Sequence, residues 1–146
     1  MQDGLPLSKR LAEALAKIGL AIRSRSWRGA SPLGLTPTQG QVLTLLLSVD
    51  RPLRLGDVAR GLGVTPATVS EAVSTLARKG LVEKRRQGRS LALTLTVAGR
   101  SQAEQAASWP DFLAQSLEKL PEQEQALLMQ SVTKVLDDLS ATDAAR

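Results

Sequence analysis

The sequence predicts a mainly α-helical chain with a small β-hairpin, arranged as a winged helix-turn-helix between N- and C-terminal helices. Two observations carry this prediction. Residues 55–79 hold two short amphipathic patterns separated by a glycine, and residues 81–96 hold a basic stretch followed by alternating leucines. Spacing of i, i+3, i+4 and i+7 indicates a helix, whereas alternation indicates a strand. We expect an N-terminal helix and loop over 1–35, the winged region over 36–100 and C-terminal helices over 101–146.

The first two helices are predicted from their caps and their apolar stripes. Ser8 is expected to cap a helix over about 8–22, and the glycine-, serine- and proline-rich segment 24–35 predicts a loop. Thr36 or Thr38 begins the next helix, which is apolar on most sides and therefore expected to be buried.

The helix-turn-helix follows a brief edge strand expected at 53–55. Gly63 ends its first helix, because glycine readily adopts the left-handed conformation of a helix stop. Thr65 caps the second helix and Pro66 fills its first position. Gly80 ends it. Its inner face is expected to carry Val69, Val73 and Leu76.

The hairpin and the C-terminal helices complete the predicted fold. Strands at 81–86 and 90–96 flank a turn at Gln87-Gly88. A helix from Thr96 reaches about residue 120, with a kink or interruption at Trp109-Pro110. A last helix follows Pro121, and its tail is expected to fray from residue 140.

Composition narrows the class of function. The chain has 146 residues with neither cysteine nor histidine, which excludes disulfides and thiolate metal sites and removes the commonest general base. We therefore expect no metal, no cofactor and no enzymatic activity. The sequence shows no apolar run long enough for a membrane span and no secretory signal, so we expect a cytoplasmic protein.

The distribution of charge points to a polyanionic partner. The net charge is +5, and residues 51–100 contain ten cations against three anions, whereas acids dominate from residue 101 onward. Basic residues gathered on a helix-turn-helix are typical of double-stranded DNA binding. The side chains expected to contact DNA are Thr65, Ala67, Thr68, Ser70, Glu71, Ser74, Arg78, Arg85, Arg86 and Arg89.

Some of these side chains have an alternative interpretation. Glu71 could accept a hydrogen bond from a cytosine amino group, or it could form a salt bridge with Arg78 or a wing arginine. Arg78 complements the helix dipole in any fold. The hairpin cations favour DNA contact, with an arginine at the tip in the minor groove, although charges also protect edge strands from aggregation.

The terminal helices carry narrow apolar stripes that a compact monomer would cover poorly. Packing the terminal helices of two chains together would bury both stripes, so we expect a homodimer. The alternative is that the stripes fold back on the helix-turn-helix of the same chain.

Four blocks of sequence resemble the MarR family of bacterial transcriptional regulators. They are LTPTQGQVLTLL (35–46), RLGDVARGLGVTPATVSEAVSTLARKGLVEKR (54–85), LTLTVAGR (93–100) and LPEQEQALL (120–128). The resemblance implies a dimer on a pseudo-palindromic operator and repression that a small ligand relieves. The alternative function is a winged-helix protein-interaction or architectural module with non-specific DNA affinity.

Two departures from the family pattern bear on the DNA contacts. The wing KRRQGRS is short and lacks the family's acidic residue, so Arg89 takes the tip role by its place before the strand LALTLT. Glu71 stands where the family often has arginine.

Near the expected hinge, Trp27 with Arg23, Arg25 and Arg28 could bind an anionic aromatic ligand, or Trp27 could simply be buried.

Overall fold

The computed structural model describes residues 4–145, and this part of the chain forms helices around a small antiparallel sheet. The mainly helical fold with a β-hairpin is as predicted. In chain order the elements are α1 (Leu7–Ala30), a 3-10 turn (Ser31–Leu33), α2 (Pro37–Val49), β1 (Leu53–Arg54), α3 (Leu55–Leu62), α4 (Pro66–Arg78), β2 (Val82–Gln87), β3 (Ser90–Leu95), α5 (Val97–Ala106), α6 (Asp111–Leu117) and α7 (Glu122–Ala144).

The first helix differs from its prediction at both ends. It begins after Pro6, whose backbone is not helical, and Ser8 lies inside the helix without capping it. The predicted loop over 24–35 is wrong for its first seven residues, because α1 continues to Ala30. The 3-10 turn and residues 34–36, with φ of 67° at Gly34, then separate it from α2.

Tertiary packing explains why the serine- and glycine-containing end of α1 stays helical. A Cβ atom built on Gly29 would lie 2.9 Å from Cδ1 of Trp109, so the indole packs directly on the helix backbone there. Ala30 is fully buried in the core. Helix propensity is a weak preference that such contacts override.

The second helix begins at Thr36, not Thr38. The Thr36 hydroxyl accepts a hydrogen bond from the Gln39 backbone at 3.2 Å, and the Gln39 side chain accepts one from the Thr36 backbone at 3.1 Å. This reciprocal capping box satisfies two backbone N–H groups at the helix start. The expectation that α2 is central is confirmed, since Val42, Leu43 and Leu46 are buried.

The expected edge strand is confirmed, although it is one residue shorter because Leu55 already belongs to α3. The sheet order is β1-β3-β2, with Leu53 opposite Leu93 and Val82 opposite Leu95. Ala92 and Leu93 lie on opposite faces of the central strand β3, and both are buried. Alternating leucines are typical of a strand with one buried and one exposed face, and Ala92 departs from that pattern.

After the sheet, the helix predicted from Thr96 to about residue 120 is divided into two helices. α5 ends at Ala106 and α6 starts at Asp111, so Trp109-Pro110 interrupts the predicted helix. The prediction of a frayed tail from residue 140 is wrong, since α7 continues through Ala144.

One hydrophobic core is formed by α2, α3, α4, α5 and the sheet, together with Ala30 at the end of α1. Helix α7 and the rest of α1 lie largely outside it. None of the described side chains of α7 is buried, although Leu136 comes within 3.5 Å of a Cβ built on Gly63. The apolar residues Leu11, Leu15 and Ile18 of α1 are also exposed. No helix within residues 4–145 combines the length and hydropathy of a membrane span.

Candidate nucleic-acid interface

Helix α4 is fixed by its caps and by one buried face. Gly63, with φ of 66°, ends α3 in the left-handed conformation that favours glycine. The Thr65 hydroxyl accepts a hydrogen bond from the Thr68 backbone at 3.2 Å, which caps α4 as predicted. The inner face is buried against the core through Val69, Ala72, Val73 and Leu76.

The opposite face of α4 presents a row of exposed side chains. Ala67, Glu71, Ser74 and Arg78 follow one another at i, i+4, i+7 and i+11, so they lie along one line of the helix. Ser70 is exposed beside this row. Ala67 and Ser74 are small, which would allow a partner to approach the helix backbone closely.

The hydroxyls of Thr65 and Thr68 lie 2.9 Å apart and share a hydrogen bond. Both side chains are exposed, yet each already has a partner in the helix cap. Each hydroxyl keeps some capacity for a further hydrogen bond, because a hydroxyl offers one donor and two acceptor positions. The cap therefore fixes the positions of Thr65 and Thr68 at the N-terminal end of α4.

Glu71 makes no ion pair with any side chain that the structure describes. The expected alternative was a salt bridge to Arg78 or to a wing arginine. Arg78 instead donates a hydrogen bond to the Thr75 hydroxyl at 3.2 Å, and Arg85 lies 3.9 Å from Glu83. The Glu71 carboxylate therefore stands exposed on the row without a cationic partner in the described part of the chain.

The wing turn lies one residue later than predicted. Gln87 pairs with Ser90, so the two-residue turn is Gly88-Arg89 and Gln87 ends β2. Gly88 has φ of 63°, a conformation that suits glycine at the first central position of a hairpin turn. The shift places Arg89 at the tip itself, in the position that the sequence assigned to it.

The wing cations are all exposed. Lys84, Arg85 and Arg86 lie on β2, and successive side chains of a strand point to opposite faces. Lys84 and Arg86 therefore share one face, and Arg85 lies on the other. The one acid on this strand, Glu83, stands 3.9 Å from Arg85 with both side chains more than half exposed. Such an exposed pair holds Arg85 only weakly.

Two further acids in or beside the basic segment are engaged. Asp57 accepts a hydrogen bond from the Arg60 guanidinium and another from the Arg54 backbone at 3.2 Å. The Arg60 hydrogen bond is the main reason that the pKa of Asp57 falls below its ordinary value, with the Arg54 N–H acting in the same direction. Asp50 pairs with Arg100 at 2.7 Å.

A groove of about 500 Å³ runs between α1, the start of α2 and α4. The alternative that Trp27 is simply buried is wrong, because its side chain is 43% exposed and lines this groove together with Arg23. Thr68 and Glu71 of α4 line the opposite wall. Arg25 is directed elsewhere, with its guanidinium carbon 4.6 Å from the centre of the Phe112 ring.

Two structural contributors were missed in the sequence. The start of α2 forms one wall of the groove, and the capping box at Thr36 was the signal that could have placed it. The Lys79 ammonium donates a hydrogen bond to the Gly34 carbonyl, which ties the end of α4 to the turn after α1. No local pattern indicates that second contact, because 45 residues separate the partners.

The helix-turn-helix of α3 and α4, followed by the β2–β3 wing, defines a winged-helix protein. Residues 33–90 match the sequence profile described as the MarR family. This matched segment, which is less than half of the 146-residue chain, supports the resemblance to the MarR family that the four sequence blocks carry. A comparison with curated proteins finds no match.

Solved structures show the same fold over nearly the whole chain. A MarR-family transcriptional regulator from Silicibacter pomeroyi is 21% identical, with a TM-score of 0.79 over 94% of this chain and 95% of that one. The S. aureus MepR–DNA complex is 26% identical, with a TM-score of 0.74 over 88% and 96%. CouR from Rhodococcus jostii RHA1, bound to p-coumaroyl-CoA, is 20% identical, with a TM-score of 0.77 over 91% and 96%.

Proposed function

We propose that this chain is a sequence-specific DNA-binding transcriptional repressor that acts as a homodimer on a pseudo-palindromic operator. The observation that carries the proposal is the combination of an exposed row on α4 with a wing whose tip and strand carry four exposed cations. Small side chains on the row suit a helix in the major groove, and the tip residue Arg89 suits the minor groove. MepR, which has this fold at 26% identity, forms a complex with DNA.

The homodimer is proposed from the terminal helices. In the single chain, Leu11 and Leu15 of α1 and Leu136 and Leu139 of α7 are each about half exposed. Exposed apolar side chains at helical spacing on two long helices are costly in water, and a symmetric partner would cover them. We retain 1–35 and 101–146 as the dimerisation regions around the DNA-binding region 36–100.

Release by a small ligand is proposed from the groove beside α4. Trp27 offers an aromatic surface and Arg23 a cation, so a planar molecule with an anionic group fits the chemistry of the walls. Thr68 and Glu71 belong both to the groove and to the exposed side of α4. A bound ligand would therefore contact side chains that DNA would otherwise contact. We place this regulation in the cytoplasm of a bacterial cell.

A second candidate function is a winged-helix architectural or protein-interaction module with non-specific DNA affinity. One observation favours it: in the exposed row of α4, only Arg78 can form a bidentate hydrogen bond with guanine. The row therefore offers few base-specific contacts of this kind. A competition measurement separates the two candidates. The module predicts equal affinity for every duplex, whereas the repressor predicts one preferred sequence.

The decisive experiment is a footprint on the DNA that flanks the gene of this protein, followed by titration of the protected duplex at several salt concentrations. We expect a protected palindrome and an affinity that falls steeply with salt, with a log–log slope of about −0.9 for each phosphate contact. Undetectable or salt-independent binding would contradict the proposed function. Sedimentation of the free protein checks the homodimer in the same preparation.

A further inference from the structure

We infer that Glu71 determines the operator sequence by accepting a hydrogen bond from the exocyclic amino group of a cytosine in the major groove. The inference rests on the proposed DNA-binding function and deepens it. It commits each half-site to a C·G base pair opposite the centre of α4.

The position of Glu71 carries the first step. It lies on the outermost row of α4, between Ala67 and Ser74, which are both small. Because these neighbours project little, the longer glutamate reaches beyond them. It is also the one acidic residue of α4, so a negative charge on this helix face can come from no other side chain.

The second step is that the Glu71 carboxylate is available. Asp50, Asp57 and Glu83 each lie within ion-pair distance of an arginine. Among the described side chains, Glu71 has no such partner, although Arg23 lines the same groove. An exposed carboxylate that keeps all of its acceptor positions can be satisfied by a donor from another molecule.

The third step is the chemistry of the major groove. A carboxylate only accepts hydrogen bonds, and the donors on base edges there are the amino groups of cytosine and adenine. Guanine presents acceptors to it, and thymine presents an acceptor and a methyl group. Adenine places its N7 acceptor beside its amino group, which repels a carboxylate. Cytosine is therefore the base that Glu71 matches.

The same charge penalises every duplex that lacks this donor. A carboxylate close to DNA meets the negative potential of the phosphates, which weakens binding unless a hydrogen bond compensates. Glu71 thus raises specificity while lowering general affinity. This opposite effect on the two quantities separates a base contact from a merely solvent-exposed side chain.

The test selects duplexes from a randomised library with the wild-type chain, with Glu71→Gln and with Glu104→Gln as control. Glu104 is an exposed acid on α5, so its substitution makes the same change of charge outside α4 and the wing. We expect the wild type to prefer C·G at one position of each half-site by about fivefold or more. Glu71→Gln should prefer adenine there, since an amide matches the N6 and N7 groups of adenine, and it should bind unrelated duplexes more tightly.

The outcomes distinguish the inference from the function on which it rests. If Glu71→Gln selects the same sequence as the wild type, the inference is overturned and the proposed function stands. The inference is also overturned if Glu104→Gln shifts the preference in the same way, since charge alone would then explain the change. If the wild type selects no sequence, the proposed sequence-specific function itself fails.

Discussion

Trp109 lies so close to Gly40 that no side chain fits at this position of α2. A Cβ atom on Gly40 would stand 2.0 Å from Cζ3 of the indole, and one on Gly29 would stand 2.9 Å from Cδ1. The indole therefore fills the space between α1 and α2 from the turn that joins α5 to α6. Gly29 on α1 and Gly40 on α2 thus both leave room for the indole of Trp109.

We predict that Gly40→Ala destabilises the fold even though alanine favours helices. The added methyl group must displace the indole, and overpacking of this kind costs about 1–3 kcal/mol. Urea unfolding followed by circular dichroism measures the change in the free energy of unfolding. Gly56→Ala is the matched control, because nothing lies within 4 Å of its Cβ, and it should leave stability equal or higher. Equal effects of the two substitutions would contradict the packing role of Trp109.

Gly99→Ala should be more damaging than Gly40→Ala. Its Cβ would lie 1.8 Å from the carbonyl oxygen of Leu81, and backbone cannot rotate aside as a side chain can. That carbonyl also accepts a hydrogen bond from the Thr96 backbone at 3.1 Å. We expect the melting temperature to fall further than for Gly40→Ala in thermal unfolding. A smaller fall would show that α5 can shift away from the start of β2.

Arg89→Ala should weaken DNA binding and reduce its salt dependence. The side chain stands at the wing tip, and each lost phosphate contact changes the log–log salt slope by about 0.9. Titrations of one duplex at several salt concentrations give both quantities. Lys119→Ala removes an exposed cation beyond α6 and should leave both unchanged. Equal behaviour of the two variants would remove the wing tip from the interface.

Asp57→Asn should lower stability at neutral pH but not in acid. The Arg60 and Arg54 hydrogen bonds lower the pKa of Asp57 below 3.8, so the folded chain binds its proton less readily than the unfolded chain. The resulting stabilisation is present above pH 3.8 and is lost as the pH falls through the folded pKa. Melting temperatures of wild type and variant should therefore differ at pH 7 and converge as the pH falls through the lowered pKa of folded Asp57. A constant difference would assign the effect to packing.

The helix-turn-helix could be predicted from sequence because its signals are local. Gly63, Thr65 and Pro66 each act within one turn of the chain, through a left-handed stop, a cap and a fixed φ. The row on α4 follows from helical periodicity alone. These features needed no knowledge of distant residues.

The misjudged features depend on contacts between distant parts of the chain. The length of α1 depends on Trp109, which is 80 residues beyond Gly29. The pairing of Arg78 with Thr75 is an exception, because both residues lie within α4, yet helical periodicity did not predict it. The exposure of Trp27 depends on where α4 stands relative to α1. Such choices among neighbours are settled by tertiary packing and not by local propensity.

The reach of the core beyond the DNA-binding region limits how the protein can be cut for study. Ala30 and Ala103 are fully buried in that core, yet both lie outside residues 36–100. An excised fragment of 36–100 would also lose Trp109 and uncover the backbone of α2 at Gly40. A stable minimal fragment must therefore begin before Gly29 and extend past Trp109.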